Sequence, residues 1–548
     1  MKKRNAAAMV LLSTAMLAAC SSGETATNAK PGDTKPAAAS EKVDQFRMPG
    51  PVEVSIFKSV NPTAKLPDGD TVENNQYTRY IKDKTNISFK VLWYASGQDY
   101  DQKYKLALAS NDLPDAIIVD EAVFRSLAEG GQIEDLTEVY KKYASPLMQE
   151  LYATTNGKAL EKATYKGKLM AIPNISVQGD AVSMLWVRKD WLDKLGLQPP
   201  KTMDDVTAIA KAFIEKDPDG NGKADTVGLT GSNSVGASAK AGHHSFKGIY
   251  GAFNAYPGNW LKDASGKIVY GSTLPETKMA LAKLREMYAA GLIDKEFALR
   301  KDPHELVVGG KAGMFFGPWW SSSTPLRDTV KNDPTGDWKP YIIADAKGQL
   351  NSLMIPVSNK FLVVKKGFKH PEALMIYINT LVAAERNVDP DAAKLDLKVS
   401  RGDYYPLYST YDYADAVTRK LDLLQKAMEG KMKREELNAE LQLLYDRAMR
   451  DKANPKADLN DWSATYGYLN GGAALRQKIN EVYSAFTSTT KTMERRWANL
   501  EKLESETFFK IIMGEQPLDA FDKFVKDWKE QGGDQIVKEI EEELAKNK

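Results

Sequence analysis

The chain has 548 residues, 43% of them hydrophobic, with 75 Lys and Arg set against 73 Asp and Glu. That length implies two or more domains or lobes, with ample apolar material for their cores. A formal charge of +2 without a basic stripe excludes an electrostatic nucleic-acid binder.

The first predicted element is an export signal, residues 1–19. Lys2, Lys3 and Arg4 precede an apolar stretch from Ala6 to Ala19, which runs into Cys20. A basic start, a short apolar run and small residues at the cut site define such a signal. The run is shorter than the about 20 residues that span a bilayer, and no second run of that length follows. Cys20 is the sole cysteine, so the mature chain has no disulfide and relies on packing. Leu17-Ala18-Ala19-Cys20 resembles the lipobox of bacterial lipoproteins. The resemblance implies lipidation of Cys20, with palmitate-type acyl chains, and an anchor on the outer face of the cell membrane. Two such chains suffice for stable anchoring. Loss of three basic residues with the signal takes the formal charge from +2 to −1. Residues 20–50, rich in Ser, Thr, Ala, Lys, Gly and Pro, read as a flexible tether spanning roughly 30 Å.

Val52, Val54 and Ile56 alternate with polar residues and predict a strand. Residues 73–84 read as a helix, Ile87 to Trp93 alternate again, and residues 99–110 form a second helix. Leu113-Pro114-Asp115 turns the chain into Ala116–Val119, an apolar run expected as a buried parallel strand. This order implies right-handed crossovers and an α/β lobe. A β-prone segment, Ala181–Arg188, leads into a helix over 189–195 closed by Gly196. Helices follow over 203–216, with Asp204 and Asp205 well placed in the first turn, and over 276–290. In the latter, Met279, Leu281, Leu284 and Met287 mark the apolar face. A strand is expected over 357–364 and a helix over 371–382. Beyond residue 413 the pattern is helical.

Asp217-Pro218-Asp219-Gly220-Asn221-Gly222-Lys223-Ala224-Asp225 places oxygen side chains at positions 1, 3, 5 and 9 of an EF-hand-like loop. Glycine occupies position 6 and the Lys223 carbonyl falls at position 7. Asp217, Asp219, Asn221, Lys223 and Asp225 are the expected ligands of a structural calcium ion. Position 12, usually Glu, is Gly228, and the residue after Asp225 is Thr226, so one ligand is short. A metal-free turn rich in Asp and Asn remains the alternative.

Gly310 to Trp320 reads as a loop, a short apolar strand and a Gly317-Pro318 turn that presents Trp319 and Trp320. A flat indole covers the C–H face of a sugar; desolvating that face contributes about 1 kcal/mol per ring. The stretch closely resembles the strand and turn that place a sugar-stacking Trp in maltose-type, family 1 extracellular solute-binding proteins. Leu108–Asp115, Leu185–Leu197 with Pro200–Asp205, and Ile512–Gly533 resemble further stretches of that family in the same order, covering roughly residues 50–548. Asn111 stands where Gly is common in the family.

The resemblance implies an α/β, two-lobed periplasmic-binding-protein-like fold of type II, with extra helices in the C-terminal lobe. The expected lobes are 51–179 with 350–420, and 180–349 with 421–548, joined near 178–186 and 345–356. The expected function is that of a lipid-anchored receptor of an ABC importer, not an enzyme. It would hold a carbohydrate, an oligosaccharide by preference, in the cleft and pass it to permease subunits. A monomer is expected. Trp319, Trp320, Trp462, Tyr466, Trp93, Tyr94, Trp186 and Trp260 are the candidate ligand contacts, each with core packing as the competing role. His243, His244, His304 and His370 lack metal-ligand spacing. A surface polysaccharide-degrading enzyme, or the same fold with a peptide or other solute, stands as the alternative. No motif marks a catalytic pair of carboxylates.

Overall fold

Val52–Ser59 pairs in parallel with Ile87–Ala95, and a register shift between Ile56 and Phe57 buries both side chains. The helix between them, Gln76–Thr85, starts at a capping box of Asn75 and Thr78 and stops at Asn86 in the left-handed conformation. The computed structural model describes residues 43–61, 63, 66–236, 242–395 and 401–546. The signal, Cys20 and residues 21–42 of the tether lie outside the described residues. Asp44–Lys548 forms one compact unit.

Packing begins before the expected end of the tether. Met48 is buried, its N–H donates to Thr85 O at 2.9 Å, and Asn86 Nδ2 donates to Met48 O at 2.8 Å. Asn379 Nδ2 holds the Gln45 carbonyl at 2.7 Å. Gln45 Nε2 also donates to Ala144 O at 3.0 Å and Arg47 to Asp83 O at 2.6 Å, so one buried methionine and a set of hydrogen bonds dock a stretch whose composition reads as unstructured.

Ala116–Val119 is buried as expected, but its hydrogen-bonded neighbour is antiparallel. It pairs with Phe361–Val364, which carries Ile172–Pro173 on its other edge. An apolar run reports burial on both faces; strand direction comes from a partner some 240 residues away. Around this sheet lies a first core of Val54, Ile56, Tyr77, Ile81, Leu151 and the helix Glu372–Glu385. Every residue from Ala373 to Glu385 is buried, as suits a helix apolar on all sides.

A second core gathers Leu185, Val187, Trp191, Phe213, Phe246, Leu284, Phe316 and Phe508. Its sheet has Met184–Arg188 in the centre, antiparallel to both Met314–Gly317 and Trp338–Tyr341. Thr202 and Asp205 form a capping box at the start of Met203–Glu215, and Gly196 ends Lys189–Leu195 at φ 67°. The helix Pro275–Ala289 buries Thr277, Ala280, Leu281, Leu284 and Met287. Met279, expected on that face, is 57% exposed because it falls outside the stripe. The last helices, Lys491–Met513, Ala520–Trp528 and Asp534–Lys546, close this core.

Ala416–Met428 and Ala439–Ala453 form a small satellite core around Leu424, Leu441 and Leu444. Between the two main cores the chain passes through residues 176–184 and 344–356, and residues 415–420 lead from the first core to the satellite. Leu350–Leu353 pairs in parallel with Ile479–Val482 beside these crossings. Among the described residues no helix is long and apolar enough to cross a membrane.

Candidate functional site

Antiparallel pairing of Gly317 with Met184 carries the Pro318-Trp319 turn to the end of the central strand, next to the crossing at 178–183. Trp186 Nε1 donates to Pro318 O at 3.0 Å and Ser321 Oγ donates to the same carbonyl at 2.7 Å, which fixes the turn. Trp319 emerges half-buried. Its Nε1 donates to Asp180 Oδ1 at 2.8 Å, and its ring tilts against Tyr468 at 4.8 Å. Gly471 sits against its backbone, so close that a Cβ there would lie 2.0 Å from the Trp319 carbonyl oxygen. Trp320, also half-buried, takes the edge of His243 at 4.9 Å.

Trp319 and Trp320 border a cavity of about 230 Å³ together with Ser322, Glu440, Arg447 and Tyr468. Asp180, bonded to the Trp319 indole, lines a separate small cavity with Pro318, and loss of water raises its pKa against the opposing pull of the Trp319 N–H and Lys420. Behind Tyr468 lies a charge network. Asp412 accepts from Arg386 at 2.7 Å and from Lys420 at 3.0 Å, and Lys420 also reaches Glu440 at 2.8 Å. A second cavity of about 220 Å³ lies at the crossings, with Asn156, Lys158, Gln178, Asp415, Glu481 and Tyr483 in its wall. Hydroxyl-rich solutes require such mixed walls, in which aromatic faces alternate with donors and acceptors.

The other expected contacts divide. Trp93 stacks on Phe57 at 4.3 Å and meets Tyr100 at 5.4 Å, while Tyr94 is 56% exposed. No ring contact or hydrogen bond joins either to Trp319 among the described residues. Trp186, Trp260 and Trp462 correct the expectation that they offer faces to a ligand. Trp186 is fully buried, and its N–H serves the Pro318 turn. Trp260 is enclosed by Tyr270, Trp497 and Trp528. Trp462 packs among Phe315, Leu326 and Trp338. Tyr466 lies against Trp462, and its hydroxyl accepts from Lys339 at 2.9 Å and lies 2.8 Å from Asp337, so it braces the loop.

Asp180 and Tyr468 escaped sequence reasoning. Tyr468 lies two residues past the aromatic cluster 462–466, and an acidic residue inside an apolar crossing was the available sign for Asp180.

In the 217–225 loop, Asn221 Nδ2 donates to Asp219 Oδ2 at 2.8 Å and to Asp225 Oδ1 at 3.0 Å. Asp217 accepts from the N–H groups of Asn221 and Gly222. The side chains thus satisfy one another. Among the described residues no group of three or more His, Cys, Asp or Glu is arranged to hold a metal. A Cβ on Gly228 would lie 2.7 Å from the Leu292 carbonyl, which bars any side chain from position 12.

A family model described as "Bacterial extracellular solute-binding protein" matches residues 63–387. The chain is 26% identical to the polygalacturonan/rhamnogalacturonan-binding protein YtcQ of Bacillus subtilis, over 85% of this chain and 88% of that one. It is 24% identical to lipoprotein LipO of the same organism, over 96% of each chain. Among solved structures it is similar to an EF-hand mutant of the Streptococcus pneumoniae ABC-transporter substrate-binding protein FusA, in complex with fructo-nystose. That match has a TM-score of 0.53 at 19% identity and covers 90% of this chain and 100% of that one.

Proposed function

Since the chain belongs to the bacterial extracellular solute-binding proteins, we propose that it captures an oligosaccharide between its two lobes and delivers it to the permease subunits of an ABC importer. The observation that carries this reading is the Trp319 indole, held by Asp180 and Tyr468 on the second lobe beside that lobe's cavity of about 230 Å³, while the cavity of about 220 Å³ at the crossings takes its wall from both lobes. The indole presents a flat apolar surface for a sugar face, and Asp180, Glu440, Arg447 and Ser322 supply hydroxyl partners. YtcQ and FusA, by their names and titles, take carbohydrates, which supports the same class here. The family is one of binding proteins, so capture without turnover is the activity. Calorimetry against a panel of plant and bacterial oligosaccharides tests it; silence across the panel turns the reading to a peptide or another solute.

The lobes we assign are 51–179 with 350–420, and 180–349 with 421–548, with tighter docking from Asp44 onward. Ligand would favour the closed arrangement by contacts available only there. We assign Cys20 as the lipid anchor, in keeping with the likeness to LipO. Replacing Cys20 by Ser should release the protein into the medium; retention in the membrane fraction overturns the anchor.

We also assign a structural calcium ion to the 217–225 loop. The residue types fit a hard cation, since the oxygens of Asp217, Asp219 and Asp225 all lie around the Asn221 side chain, directly or through its backbone N–H. Turning the Asn221 amide by half a turn presents its oxygen instead of its nitrogen. Asp219 is raised in pKa by burial and then by Asp217, a crowding of carboxylates that a cation relieves. The Lys223 carbonyl and water complete the set.

A further inference from the structure

We propose that Lys247 and Ser183 form an anionic subsite beside Trp319, and that the solute is an acidic oligosaccharide whose uronic acid carboxylate they hold. The inference rests on the oligosaccharide reading above and names the class of sugar.

Lys247 opens the helix Lys247–Ala252, which packs against Leu350–Leu353 and, at Gly248, on the Phe316 ring of the strand Met314–Gly317. Gly248 makes this approach possible, because a Cβ there would meet the Phe316 ring at 2.2 Å. His244 N–H donates to Phe316 O at 2.6 Å and keeps the helix start beside the strand. Lys247 is thereby drawn into the walls of two small adjoining cavities, and Ser183 lines both. One of them, of about 30 Å³, exceeds the roughly 10–15 Å³ that a single water needs. The other includes Asp180 and Pro318, the residue before Trp319. A sugar resting on Trp319 therefore has these cavities beside it.

Among the described residues two polar groups here lack partners. The Lys247 ammonium is half-buried, and among the described residues it has neither an acceptor nor a carboxylate; only its backbone N–H is bonded, to Ser245 Oγ. Its pKa is lowered by loss of water, and Asp180, which lines the same cavity, forms no ion pair with it. Ser183 Oγ is buried and unpartnered. A poorly hydrated cation is costly unless a counter-charge reaches it. Elsewhere in this lobe cations at such depth are paired: Arg188 reaches Asp190 and Asp333 at 2.6 and 2.8 Å. A carboxylate meets both needs at Lys247, with one oxygen on the ammonium in a charge-assisted bond and the other on the Ser183 hydroxyl. A neutral sugar hydroxyl would fill the space and leave the charge unbalanced.

The test is calorimetry on the full mature chain in detergent. Ligands are trimers of galacturonate, glucuronate and mannuronate, the methyl esters of each, and neutral trisaccharides. The expected result is that one uronate trimer binds at least 10-fold more tightly than its ester and than any neutral sugar. Lys247→Gln should erase that preference, Lys247→Arg should keep most of it, and Ser183→Ala should lose part. Ester and acid binding equally, a neutral sugar preferred, or an acid preference that survives Lys247→Gln overturns the acidic subsite and leaves the oligosaccharide reading standing. Binding of no carbohydrate at all overturns that reading, and the subsite with it. Unchanged circular dichroism of the variants separates these outcomes from misfolding.

Discussion

The Trp319 indole N–H donates to Asp180 Oδ1 at 2.8 Å, joining the Gly-Pro-Trp turn to the first crossing between the cores. The bond aims the indole and ties its orientation to the crossing at 176–184. Trp319→Ala should weaken oligosaccharide binding at least several-fold, given about 1 kcal/mol for one covered sugar face plus the lost constraint on Asp180. Trp319→Phe should lose less, because a ring face remains while the N–H is gone. Calorimetry on both variants checks the order; equal affinity for wild type and Trp319→Ala removes the residue from the site.

Gly471 underlies the same turn. A Cβ at this position would lie 2.0 Å from the Trp319 carbonyl and 2.8 Å from its Cα, both backbone atoms that cannot swing aside. Gly471→Ala should displace the turn, with about 1–3 kcal/mol lost from overpacking. Sugar affinity should fall together with melting temperature. A variant of unchanged stability and affinity would show that the turn has slack.

Acid should destabilise the second lobe through its histidines. Burial, with His304 nearby, holds His244 down to about 3 and His243 down to about 4, from an ordinary value of 6.5. A depressed histidine is neutral in the fold and charges first in the unfolded chain. Below about pH 6.5 the unfolded state therefore binds more protons, and stability falls until the folded-state values are reached. The loss between pH 6.5 and 4 is on the order of 2–3 kcal/mol for each histidine. Melting temperatures of wild type and His244→Gln across that range give the measurement, and the variant should show the shallower slope. Parallel slopes would assign the acid sensitivity elsewhere.

Removal of calcium should lower the melting temperature by a few degrees, since an ion bound only by the folded state stabilises it by mass action. Asp219→Ala should melt at the lower temperature and no longer respond to chelator. A wild-type melting curve indifferent to chelator, with no calcium found by elemental analysis, leaves the loop as a turn held by the Asn221 amide.

Much of the local structure was legible. Gly196 at φ 67°, the Thr202–Asp205 capping box and the Gly317-Pro318 turn all depend on residues within a few positions of one another. Such features read directly from a string of residues, and so did the family. Exposure was harder to read. Trp260 and Trp319 both follow Gly and Pro turn residues, yet one is core and the other faces a cavity. The difference lies in what packs over each ring, and for Trp260 that includes Trp497 and Trp528, more than 200 residues away.

The sequence by itself determined the class of molecule, the strand-and-helix order and the indole turn, because periodicity, caps and turn chemistry act over short distances. Only the tertiary structure decided that Ala116–Val119 runs antiparallel to its neighbour, that Asp180 holds Trp319, and that Lys247 forms no ion pair among the described residues. Those depend on which faces meet after the chain has crossed between its cores, and that is settled by packing over hundreds of residues.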